Sequence, residues 1–211
     1  NVSIGIDNNN QKVYFDKITL GSSNNGKSYK GVTSSVVFSK DGGYIKDKYK
    51  LTLSSDEGAT IYYTLDGSFP TNKSIKYKEP INIDKTTIIK AIAYKDDYLP
   101  SEVSFRTFFV NDTHDLSIVS ITSNPEYLFG STGLITNYES KALKKLTFEF
   151  YESDGSYGTG FIGDAKLSGN FGGSRDKEQR GMTVYLRKKY GTNTVFYPFF
   201  KDNDLVAYSN R

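Results

Sequence analysis

Turn signals recur roughly every dozen residues along this chain, and the runs between them alternate apolar with polar side chains. That spacing favours an all-β sandwich over a parallel sheet, whose strands need long helical crossovers between them. Two runs carry the pattern most sharply. Ile61-Tyr-Tyr-Thr-Leu65 leads into Asp66-Gly67, a pair that tolerates positive φ, with Pro70 holding the turn open. Lys145 to Tyr151 alternates cleanly, with Leu146, Phe148 and Phe150 on one face. Asp154-Gly155 turns that strand, and Phe161 to Leu167 returns it.

Composition removes several function classes. The 27 basic and 24 acidic residues are well mixed and leave a formal charge of only +3, too even a balance to imply nucleic acid or a membrane surface. No run approaches the roughly 18 apolar residues of a membrane-spanning helix. With no cysteine there are no disulfides, thiolate metal sites or cysteine nucleophiles. The one histidine, His114, sits in the polar hinge Asn111-Asp-Thr-His-Asp115. A histidine-rich metal site or a Ser-His-Asp triad therefore needs help from outside the chain, and a solvated loop residue is the plainer reading of His114.

In chain order, residues 1–35 are polar and carry two short alternating patches, Val2 to Ile6 and Val13 to Leu20, which read as edge strands or a linker. From Val36 the strand signals come in series: Phe38 to Tyr44, Tyr49 to Ser54, Ile61 to Leu65, Ile75 to Tyr77, Pro80 to Ile83, Thr86 to Tyr94 and Val103 to Val110. The hinge at 111–115 is the expected domain boundary. Beyond it, Leu116 to Ser123 is extended, and Asn124-Pro125 signals a helix start with Asn124 as N-cap and Pro125 at the first helical position.

The run Tyr63-Thr-Leu-Asp-Gly-Ser-Phe-Pro-Thr71, with Leu99-Pro-Ser101 before the last strand, resembles the chitobiase/β-hexosaminidase C-terminal type of β-sandwich repeat, an accessory module of secreted bacterial proteins. The resemblance spans about residues 36–110, inside a domain expected over 36–112, and implies an immunoglobulin-like sandwich in a glycan-rich extracellular setting.

A second resemblance covers residues 116–211. Ser120-Ile-Thr-Ser-Asn-Pro-Glu-Tyr-Leu-Phe129, Thr147-Phe-Glu-Phe-Tyr-Glu-Ser-Asp-Gly-Ser156, Leu167-Ser-Gly-Asn170 with Ser174-Arg175, and Tyr185-Leu-Arg-Lys-Lys-Tyr-Gly191 with Tyr197-Pro198 are similar to the start of the spore-coat protein H (CotH) kinase family. That family comprises atypical protein kinases on a reduced kinase-like fold. The resemblance implies ATP and Mg²⁺ as cofactors of an intact parent and a coat or surface protein as its substrate. Glycine-rich Gly169 to Arg175 lies near further cations, so Arg175, Lys177, Arg180 and Arg187 are the candidate phosphate contacts. A solvent-exposed hairpin loop with a charged rim accounts for the same residues. Arg180 stands where the family carries lysine, and Ala142-Leu-Lys-Lys145 replaces its Trp-Glu-Arg-Pro lead.

The expected fold class is mostly β: a sandwich followed by a truncated, mainly antiparallel β region that is α+β in the intact parent. Starting at Asn1 and ending at Arg211 without a closing feature, the chain reads as a trimmed or expressed piece. The family's metal-binding acids and catalytic base fall later than this stretch, so the expected role is non-catalytic, adhesive or scaffolding, at the surface of a bacterial cell or spore. A carbohydrate-associated module is the alternative, since 17 Tyr and 14 Phe include Tyr62, Tyr63, Tyr77, Tyr94 and Tyr98 in the sandwich, although alternating strand aromatics are usually core. A purely structural spacer is the third.

Overall fold

The structure, a computed structural model, describes residues 2–7, 9–17, 22, 26–139, 142–169, 177–178, 180–200 and 207–209. It is mostly β, and most of its strand pairings are antiparallel. The chain divides into two compact units: residues 1–41, 45–65 and 69–111 form the first, and 42–44, 66–68 and 112–211 the second. No helix is long and apolar enough to cross a membrane among the described residues.

The first unit opens with β1 (Ser3–Ile6), β2 (Lys12–Phe15) and β3 (Ser28–Tyr29) in one antiparallel sheet. The polar loop between β1 and β2 is closed by Asp7, whose Oδ1 accepts the amides of Asn9 at 2.9 Å and Gln11 at 2.8 Å. β4 (Gly31–Val32) pairs in parallel with a strand over Tyr98–Leu99, and Thr33 donates its amide and hydroxyl to the Leu99 carbonyl.

Next come β5 (Val37–Phe38), β6 (Gly43–Ile45, whose first two residues are counted in the second unit), β7 (Tyr49–Leu51), β8 (Leu53–Ser54), β9 (Thr60–Thr64), β10 (Ile75–Lys76), β11 (Ile81–Ile83), β12 (Thr87–Tyr94), β13 (Tyr98–Leu99) and β14 (Ser104–Val110). Five form a sheet in the order β10-β9-β12-β14-β6, while β7 pairs with β11 and β5 with β8. Every second residue of β12, at Ile89, Ala91 and Ala93, joins Ile61 and Phe108 on one side. Leu51, Leu53, Ile81 and Ile83 from the short pairs meet them in one core. That is the two-layer sandwich logic: each sheet buries its apolar face on the other.

Two details depart from the sequence pattern. Tyr49 to Ser54 reads as one strand, yet it changes neighbour at Thr52, whose amide goes to Ser39 Oγ and whose carbonyl takes the Ser39 amide. Alternation sets the buried face but does not name the partner strand. The Asp66-Gly67 turn is also not a two-residue hairpin. Gly67 has φ +78°, and Asp66 Oδ1 accepts the Ser68 amide at 3.0 Å and hydroxyl at 2.5 Å. A second turn at Thr71 to Ser74 follows before β10 pairs with β9, so the connection runs over residues 65–74. Inside it, Phe69 offers its ring face to fully buried Lys90, whose Nζ lies 4.1 Å from the centroid.

The second unit contains β15 (Ile118–Thr122), α1 (Pro125–Phe129), β16 (Lys144–Tyr151), β17 (Tyr157–Leu167), β18 (Met182–Leu186), a 3₁₀ turn (Lys188–Tyr190), β19 (Thr194–Phe196) and β20 (Ala207–Ser209). β15 to β18 form an antiparallel meander. The helix starts with Pro125 in its first turn as the sequence predicts, but the Asn124 side chain makes no capping hydrogen bond. Register puts Leu146, Phe148 and Phe150 with Phe161, Ala165, Ile121, Met182 and Val184 on one face. Leu128 and Leu134 pack on that face. Phe199 also lies on it, its ring 6.0, 5.2 and 5.1 Å from those of Phe148, Phe150 and Tyr208. The opposite face is polar: Lys145, Thr147, Glu149 and Tyr151 alternate along it.

Candidate functional site

The polar face of the second sheet concentrates charge at one end. Asp164 on β17 stands directly across from Lys145 on β16 and Tyr185 on β18, because antiparallel register sets all three side chains on the same face. After β18, the chain bends through the 3₁₀ turn, and Gly191 at φ +110° lets it double back. That bend returns Lys189 and Tyr190 to the aspartate.

The Asp164 side chain is only 7% exposed, so its charge needs partners. Its Oδ1 accepts the Tyr190 hydroxyl at 2.8 Å, and Oδ2 takes Lys189 Nζ at 2.8 Å. Arg187 Nε lies 3.6 Å from Oδ2, an ion pair but not a hydrogen bond. The hydrogen bond to Asp164 holds the Lys189 ammonium above the usual lysine range. Lys145 goes the other way: burial pushes it down, the Asp164 charge opposes that, and Lys189 adds to it. Burial and then the bond to Asp164 push the Tyr190 phenol up. The tyrosine rings are cation seats as well, Tyr190 with Lys145 at 5.2 Å and Lys189 at 4.6 Å, Tyr185 with Lys166 at 5.5 Å and Arg187 at 5.1 Å.

Two other acids of this unit are tied to phenols. Tyr151 donates to Glu149 Oε1 at 2.6 Å, with both residues fully buried, and Tyr197 donates to Glu152 Oε1. Burial and then Glu152 push the Tyr197 phenol up to about 12.

The candidate phosphate contacts separate. Arg175 lies outside the described residues. Lys177 and Arg180 stay together before β18, where Arg180 donates to the Lys177 carbonyl at 3.1 Å and the Ile135 carbonyl at 2.5 Å and lies over the Tyr138 ring. Arg187 is beyond the other end of β18, roughly 20 Å away at the rise of an extended strand. His114 is half exposed in its loop, 3.2 Å from Asp112. Asp164, Lys145, Lys189 and Tyr190 escaped the sequence reading. Their signal was register: counting outward from the Asp154-Gly155 turn brings Asp164 opposite Lys145.

The acids do not suit Mg²⁺. The metal wants several carboxylate or phosphate oxygens in an octahedron, whereas Asp164 already faces two cations, and Glu149 and Glu152 each hold a phenol. Among the described residues no group of three His, Cys, Asp or Glu side chains is placed to hold a metal.

Residues 51–108, from the last residue of β7 into β14 of the sandwich, match the family model described as Fn3 associated. No curated protein and no solved structure matches the chain.

Proposed function

We propose that this protein is a non-catalytic surface module of a bacterial secreted or spore-surface protein: a chitobiase-type sandwich followed by a β unit related to the start of a CotH-like kinase domain. It acts by presenting surfaces to a protein partner. The observation that carries this reading is the state of Asp164. Both oxygens of Asp164 are engaged by Tyr190 and Lys189, so this buried carboxylate serves as a tie between β17 and the turn after β18. ATP and Mg²⁺ belong, on this reading, to a longer parent carrying further acids.

Incubation with radiolabelled ATP and Mg²⁺ tests it. No label should pass to the protein or to casein. Transfer that disappears in Asp164→Asn would overturn the proposal.

A glycan-binding reading has one observation in its favour. Tyr62 and Tyr94 sit side by side, 5.7 Å apart and edge to face, on the sheet face away from the core, whereas Tyr63 and Tyr77 pack against the core. An edge-to-face pair presents one ring face to a sugar, not an extended platform. Binding on a glycan array that is lost in Tyr62→Ala would establish this second function, and an array without signal would remove it.

A further inference from the structure

We propose that the end of the second sheet bearing Arg187, Lys189 and Lys166 binds a tetrahedral oxyanion, a phosphate or sulfate group carried as an ester on a larger molecule. The inference does not depend on the scaffold reading. Four cations, Lys145, Lys166, Arg187 and Lys189, lie against the Tyr185 and Tyr190 rings and the Asp164 carboxylate. The carboxylate faces inward at 7% exposure with its oxygens engaged by Tyr190 and Lys189, so it anchors the cations without presenting negative charge outward.

The donors are open to solvent. The Arg187 side chain is 40% exposed and meets Asp164 through Nε at 3.6 Å, too far to engage its donor fork. A guanidinium offers two parallel N–H groups to a phosphate or sulfate edge, and stacking on Tyr185 fixes its plane. The Lys189 side chain is 55% exposed and places one of its three N–H groups on Asp164. Lys166 lies 5.5 Å from the centroid of the same Tyr185 ring and adds positive charge to this face of the sheet. Arginine and lysine carry only donors, which fits an acceptor-rich oxyanion and repels a cation.

Calorimetric titration with inorganic phosphate and with sulfate, against chloride at constant ionic strength, tests the site in the full chain. Saturable binding is expected. Arg187→Gln should weaken it by about tenfold, the loss of one charge-assisted contact. Lys166→Gln, which leaves every Asp164 contact intact, should weaken it severalfold, and Lys177→Gln should leave it unchanged. If Arg187→Gln fails to fold by circular dichroism, Lys166→Gln decides. Glucose 1-phosphate and adenosine 5′-monophosphate compete in separate arms, and the tighter competitor identifies the source of the ester. Absence of saturation, equal binding of chloride, or an affinity unchanged in Lys166→Gln overturns the proposal.

Discussion

The tripeptide Asp-Gly-Ser occurs at residues 66–68 and again at 154–156, and it folds the same way twice. The aspartate Oδ1 takes the serine amide at 3.0 and 2.9 Å and the serine hydroxyl at 2.5 and 2.6 Å, while the glycines sit at φ +78° and +82°. A short carboxylate that bonds its own backbone two residues on explains both without catalysis. Asp164 differs because its partners come from other strands and from the 3₁₀ turn. Removing it should cost about 1–3 kcal/mol, less than for a fully buried pair because Lys189 and Arg187 remain open to water. Urea unfolding of Asp164→Ala measures the loss. Tyr197 gives a pH signature. Its folded pKa of about 12 exceeds the ordinary phenol value of about 10, so the native state holds that proton more tightly. The contribution is full below pH 10 and disappears as pH climbs from 10 to 12. Tyr197→Phe should remove that part of the alkaline loss, read as the difference between the two unfolding curves over that window.

At the scale of elements, the second sheet depends on the β16–β17 hairpin, whose apolar face carries fully buried Leu146. Leu146→Ala should cost about 2–5 kcal/mol in urea unfolding, since the packed neighbours collapse only partly into the space. This hairpin was legible in the sequence: alternation marked the face and Asp154-Gly155 marked the turn. Partner choice was not. Leu51-Thr52-Leu53 alternates without a break, and only the three-dimensional pairing shows β7 going to β11 and β8 to β5. The polar cluster escaped for a related reason. Arg175, Lys177, Arg180 and Arg187 look close along the chain, yet β18 is extended and carries Arg187 away from Lys177 and Arg180. Lys145 and Asp164 look distant and are cross-strand neighbours. Nearness in sequence measures nearness in space only where the chain turns.

At the scale of the molecule, two β units carry separate cores, one of interleaved aliphatics from two layers and one on a single sheet face lined by aromatics. The Fn3 associated match, residues 51–108, lies in the first unit except for residues 66–68. The function of the second therefore rests on its side chains, and there the acids serve as ties between strands and turns. A phosphotransfer assay with Asp164→Asn alongside the unaltered chain tests whether Asp164 is structural. Neither protein should transfer phosphate from ATP and Mg²⁺, and the variant should be less stable. Label transfer by the unaltered chain, abolished in a variant that keeps its full stability, would contradict that structural role.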